Sequence, residues 1–316
     1  MKRLWLCLIL ALGLGAAQTQ TQPSTPATAP DPNRFMTVGT GTPSATYHAV
    51  FKDMGRVCTN AAYLLERGTS GTVENLELLL ANQISMGFMQ VDGLIAKRDL
   101  DGDNRVNQIK SLLTLYPSEA HVVVKANLEI VSGNFFTRRR VPVTQFSQLT
   151  GRKIGVWGGA LVTARLLLRQ TGMKFEVVPF QGRDAQANAL KALEAGQIDA
   201  AMTVAGKPIP WIAQLPQGQY RLVAFDLMDK LDPKVYQPAR ISYANTNLEA
   251  VPTFSVLSIL ATRDFRTPER ARQLTRYRDC VVGKIDQLRE GLGNHPKWSE
   301  VDFKVAAPWP VYTPPQ

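Results

Sequence analysis

The stretch ERGTSGTVENLELLLANQISMGFMQVDG, residues 66–93, places Thr69, Ser70 and Thr72 before a short helical pattern. It then ends an apolar run on Gln90 and Asp92. A helix N-terminus carries unpaired N–H groups and about half a positive charge, so hydroxyls and N–H groups gathered there can receive a carboxylate. Gln90 and Asp92, at the carboxyl end of the next strand, can read the polar remainder of the same molecule, with Asp92 suited to an ammonium group. The alternative is ordinary capping of a helix starting near Val73, whose loss costs about 1 kcal/mol. The same choice arises at GTGTPSATY, where Thr42, Ser44 and Thr46 precede a helix and Tyr47 can wall a pocket and offer a hydroxyl.

Further along, Trp157, Gly158 and Gly159 form the turn after a strand, with Thr163 as the nearest hydroxyl, one turn into the helix. Trp157 is either a lid over a pocket or plain packing. Arg183, in FQGRDAQ, is either a bidentate carboxylate ligand or a solvated surface cation. Signals for bond-making chemistry are missing: there is no Gly-x-Ser-x-Gly elbow, no phosphate loop and no nucleophile beside a base. His48, His121 and His295 stand apart from one another and from cysteine, so no metal site and no cofactor are expected. DLDGDNRVN matches some positions of a calcium loop, but Asn104 replaces the turn glycine and Lys110 the bidentate glutamate, so it reads as a solvated acidic loop.

The elements that must position these residues follow from the whole chain. Lys2 and Arg3, the run LWLCLILALGLG and the small residues after it read as a secretory signal peptide over residues 1–17. Cys7 lies inside that run, so no lipid anchor is expected, and the apolar run is too short to span a bilayer. Residues 18–33 are rich in Thr, Gln and Pro and read as a disordered linker. An exported, soluble, periplasmic protein is the expectation. The formal net charge of +10 falls to +8 without Lys2 and Arg3, a basic balance suited to anionic ligands, and export argues against nucleic acid. The densest basic run, TRRR at residues 137–140, reads as a solvated loop. Two cysteines remain in the mature chain, and an even pair in an oxidising compartment is expected to form a Cys58–Cys280 disulfide, with two buried free thiols as the alternative.

From Phe35 onward, strand and helix patterns alternate, which points to an α/β fold with a largely parallel sheet. TPSATYHAVFKDMGRVCTNAAYLLERG reads as one long helix, RVNQIKSLLTLY as another, and the segment from Pro268 to about Leu292 as a third. The α/β pattern restarts near Asn127, while a disulfide from Cys58 to Cys280 would return the C-terminus to the first lobe. The expectation is therefore two α/β lobes joined by two hinge strands, lobe 1 being 34–126 plus 253–316 and lobe 2 being 127–252. Ligands bind in such α/β crevices outside the carboxyl ends of the strands.

These stretches in order resemble one family, the TAXI-type solute receptors of tripartite (TRAP) transporters. VGTGTPSATYHAV, TSGTVENLELLLANQISMGFMQVD, LYPSEAHVVV, LTGRKIGVWGG, ALKALEAGQIDAAMTVAGKP and NHPKWSEV carry the resemblance, which covers essentially residues 35–316. It implies a bilobed periplasmic binding protein of type II fold that captures a small organic anion, such as glutamate, glutamine or a dicarboxylate, and delivers it to a TRAP-type membrane permease subunit. It also marks the AGKP turn, with Gly206 and Pro208, as pocket lining. The chain departs from the family in GGALVTA, which lacks the usual hydroxyl after the glycines and implies a drier contact from the second lobe. A monomer is expected, and no enzymatic step. The alternative function is a sensor of the same fold that reports its ligand to a membrane kinase.

Overall fold

The computed structural model describes residues 35–133, 135–182, 184–247 and 249–315. The signal peptide and linker read at residues 1–33 and Arg183 lie outside the described residues. Asn33–Gln316 is one compact unit.

The first part of the chain alternates strand and helix: β1 (Phe35–Gly39), α1 (Thr46–Val57), β2 (Tyr63–Arg67), α2 (Thr72–Leu80), β3 (Met86–Gln90) and α3 (Val91–Asp99). A long strand, β4 (Ile109–Lys125), leads to a small hairpin of β5 (Glu129–Ser132) and β6 (Arg139–Pro142). The alternation then resumes with β7 (Lys153–Val156), α4 (Ala160–Thr171), β8 (Glu176–Pro179), α5 (Ala185–Glu194), β9 (Ala200–Ala205) and α6 (Pro210–Ala213). After β10 (Tyr220–Leu222) and β11 (Tyr236–Ile241), the chain returns through β12 (Val251–Arg263) to α7 (Pro268–Gly283) and α8 (Ile285–Glu290).

One sheet runs in the order β2-β1-β3-β12-β4-β9-β7-β8, with β10 paired to β4 and β11 to β12. Its two flanks are parallel, β2, β1 and β3 on one side and β9, β7 and β8 on the other. The two long central strands are antiparallel to each other and to their neighbours. Each changes partner along its length. β4 pairs with β12 up to Glu119 and with β9 from Glu119 onward. β12 pairs with β11 through Val256 and with β3 from Ser258. The result is an α/β fold in which two parallel flanks hang from the same central pair.

The sequence expectations for three helices need correction. α1 stops at Val57, and YLLER is the edge strand β2, whose side chains alternate between exposed and half-buried. The expected helix over residues 105–116 is a 3-10 turn at Asn104–Gln108 followed by the start of β4. β4 is buried on both faces, so its sequence lacks the period-two pattern that identifies a half-exposed strand. The C-terminal helix is broken at Lys284 into α7 and α8.

A disulfide joins Cys58, just past the end of α1, to Cys280 in α7, with a Cα–Cα distance of 6.0 Å. Around it, Met54, Tyr277, Leu274 and Trp298 form a core beneath β1, β3 and β4. The C-terminal residues therefore pack on the first flank of the sheet rather than on the last.

Candidate functional site

The loop between β1 and α1 is shaped by close packing. A Cβ on Gly39 would lie 2.3 Å from the Asn75 side-chain oxygen, so only glycine admits α2 this close. Asn75, fully buried, donates from Nδ2 to the carbonyls of Thr40 and Phe88, each at 2.8 Å. Its Oδ1 receives the Thr69 hydroxyl at 2.8 Å. Asn75 thus clamps the loops before α1 and α2 to the end of β3. The sequence reading passed over it, although a polar residue three positions after Thr72, on the face carrying Leu76 and Leu79, was a legible signal.

α2 begins at Thr72 with Gly71 at its N-cap, and no side chain caps it, so the alternative reading of these hydroxyls as ordinary caps is not met. Ser70 is held instead by Glu74, whose carboxylate receives the Ser70 N–H at 2.8 Å and hydroxyl at 3.0 Å. The Thr72 hydroxyl donates to Gln90 Oε1 at 2.8 Å and accepts the Gln90 N–H at 3.2 Å. Gln90 Nε2 donates in turn to the Val204 carbonyl in β9 at 2.7 Å. Thr72 and Gln90 are buried, and the bonds they make position the elements around them.

The second half of the chain closes on this assembly. A Cβ on Gly159, the N-cap of α4, would lie 1.8 Å from Gln90 Oε1. A Cβ on Gly158, whose φ is +55°, would lie 2.7 Å from the Ser70 carbonyl. Thr46 donates to the Gly206 carbonyl at 2.9 Å, tying α1 to the AGKP turn. Behind that turn Lys297, fully buried, pairs with Glu119 at 2.5 Å and Glu300 at 2.7 Å, and Glu119 also accepts the Lys207 N–H at 3.2 Å. His121 supports the same turn from the other side. Its Nδ1–H donates to the Glu119 carbonyl at 2.8 Å, leaving Nε2 to accept from Tyr243, which accepts the Ile209 N–H at 2.8 Å. Burial pushes His121 down to about 3, which keeps it neutral and holds that polarity.

Between these loops lies a cavity of about 360 Å³. Its wall is built from residues 41–47, 70–72, 90, 157–159, 182, 184–187, 203–206 and 209–211. The first residues of α1, α2 and α5 and the N-cap of α4 contribute, and none of these four helices has a side-chain cap bond. Asp184, exposed, is the charged side chain among the described lining residues. Tyr47 is stacked on Phe88 at 5.5 Å and shares a hydrogen bond with Ser258, and burial pushes its hydroxyl up to about 12, so it is a neutral donor. Trp157 and Trp211 meet at 5.9 Å on the wall.

Of the residues expected at a site, the cavity gathers Thr42, Ser44, Tyr47, Ser70, Thr72, Gln90, Trp157, Gly158 and Gly206. Pro208 is exposed beyond the lining, after a cis Lys207–Pro208 bond. Asp92 and Thr163 need correction. Asp92 lies in the first turn of α3 and is fully buried, where its Oδ2 receives the Thr163 hydroxyl at 2.6 Å and the Tyr236 hydroxyl at 3.1 Å. Burial pushes its carboxyl up to about 6, against the opposing pull of those hydrogen bonds. It is absent from the cavity lining, so the expected ammonium partner serves, through Oδ2, as an internal tie between α3, α4 and β11.

Among the described residues, no helix is long and apolar enough to cross a membrane, and no three His, Cys, Asp or Glu are grouped to hold a metal ion. A sequence profile of the NMT1-like family matches residues 38–278. Two of the solved structures with this fold illustrate the likeness. An ancestral arginine-binding protein bound to arginine is 13% identical, with 84% of this chain and 97% of that chain covered and a TM-score of 0.50. A protein from Bordetella bronchiseptica RB50 is 12% identical, with 85% of this chain and 76% of that chain covered and a TM-score of 0.51. The fold is that of the bilobed solute-binding proteins.

Proposed function

The chain belongs to the NMT1-like family, and on that premise we propose that it is an exported solute receptor of the TAXI type. In this reading it captures a small organic anion in the periplasm and delivers it to a TRAP-type membrane permease. The observation that carries it is the cavity ringed by the N-termini of four helices without side-chain caps. Their positive dipole ends, gathered at one cavity, suit one carboxylate without requiring a side-chain cation. The two lobes, 34–126 plus 253–316 and 127–252, would move about β4 and β12, and capture would make or break no covalent bond. Ligand entry then requires separation of contacts such as Thr46 to Gly206 and Gln90 to Val204.

The test is chemical. Protein purified from the exported fraction is denatured, and the released small molecules are identified by mass spectrometry. A near-equimolar organic anion is expected, and adding it back to emptied protein should raise Tm. Emptied protein whose Tm responds to no carboxylate, together with preparations that release none, would overturn the receptor reading.

A further inference from the structure

The cavity wall also describes the rest of the ligand. We infer that the occupant is a monocarboxylate bearing a flat, aromatic-sized apolar group, in place of the second carboxylate or the ammonium group of the amino acids and dicarboxylates expected from the family resemblance. This rests on the receptor reading above and adds the ligand class.

Three observations point to it. First, Trp157 and Trp211 are each half-buried and line the cavity, with ring planes inclined at 56°. Ile209, Pro210 and the ring of Tyr47 continue the apolar wall. Aromatic surface left against a cavity is covered most favourably by another flat apolar group, by burial and by ring-on-ring geometry. Second, a second carboxylate on the ligand would have to lose water beside a wall whose charged side chain, among the described residues, is the acidic Asp184. Burying an unpaired charge is strongly unfavourable. Third, the acid that an ammonium group would need, Asp92, is fully buried and absent from the lining, with its Oδ2 taken by Thr163 and Tyr236. Trp157 directly precedes Gly158 and Gly159 at the start of α4, so a carboxylate drawn to the positive end of that helix has an indole as a near neighbour. A cavity of about 360 Å³ lies at the small end of ligand pockets, which run from roughly 300 to 1,000 Å³, and suits a single-ring or indole acid.

Emptied full-length protein is titrated by calorimetry with phenylacetate, indole-3-acetate, succinate and L-glutamate. At least one aryl acid is expected to bind about 10-fold or more tightly than succinate and glutamate, with a change in tryptophan fluorescence. Trp157→Ala and Trp211→Ala should each weaken that aryl acid about 2- to 13-fold, the range of one lost aromatic contact. Succinate or glutamate binding more tightly than both aryl acids would overturn this inference and leave the receptor reading standing. The ranking is read on the unsubstituted protein, so it decides the matter even if a tryptophan variant fails to fold.

Discussion

Asp92 and Gln90 stand two residues apart and have been given different work by burial. Gln90 reaches the cavity wall with its amide already spent on Thr72 and Val204, while Asp92 turns inward to Thr163 and Tyr236. The raised Asp92 carboxyl has a consequence for stability. Its folded value of about 6 lies above the unfolded value of 3.8, so the folded state binds the extra proton, and stability falls as pH rises from about 4 through 6. Asp92→Asn keeps an acceptor for both hydroxyls and removes the titration. Urea unfolding should show the variant gaining on the parent across that window, by about 3 kcal/mol at most above pH 7. His121 runs the other way, since a folded value of about 3 makes stability fall as pH drops below 6.5. The Asn variant should therefore show the His121 slope unopposed between pH 4 and 6.

Among the elements, α4 is the one whose position depends on having no side chain at its start. Gly159→Ala would drive a methyl into Gln90 Oε1 and against Thr72 Oγ1, 3.0 Å away. The contact can be relieved by withdrawing α4 from α2 and β3, so binding should suffer more than folding. We expect at least a 10-fold loss of affinity for the co-purified anion by calorimetry, with a smaller change in the free energy of unfolding. Equal losses in both would show that α4 cannot withdraw. The GGA turn was read from sequence as a family departure that leaves a drier contact, and the packing supplies the steric reason for its glycines. Elements with clear alternation or strong helix periodicity, such as α2, α4, α5 and β9, were legible, as was the set of loops that surrounds the cavity. β4 was not, because a strand buried on both faces shows a run of apolar residues that fits helix and strand alike. β2 was missed because an edge strand with Tyr63 and Leu65 exposed carries helix-forming residues on both sides of its pleat. Asp92 was misplaced because the helix α3 starts one residue after the strand ends, and that single residue reverses where a side chain points.

At the scale of the whole molecule, the Cys58–Cys280 bond closes a loop spanning 222 residues of sequence. Chain-entropy arguments give such a cross-link about 5 kcal/mol of stabilisation. The Cys58→Ser, Cys280→Ser double variant should lose several kcal/mol by denaturant unfolding while keeping its ligand preference, since neither cysteine lines the cavity. Reducing agent should reproduce the loss in the parent and do nothing further to the variant. The sheet order has its own bearing on how the protein comes into being. β12, which begins at Val251, lies between β3 and β4 and is hydrogen-bonded to both. A chain made from its N-terminus must therefore hold two early strands with a vacant slot between them for more than a hundred residues of synthesis. Until β12 arrives, those strands present open backbone edges and uncovered apolar faces, the features that invite mispairing and aggregation. Closing that long interval makes maturation slow for topological reasons. The nascent chain accordingly keeps its central sheet unfinished until β12 has been made, a state in need of protection from its neighbours.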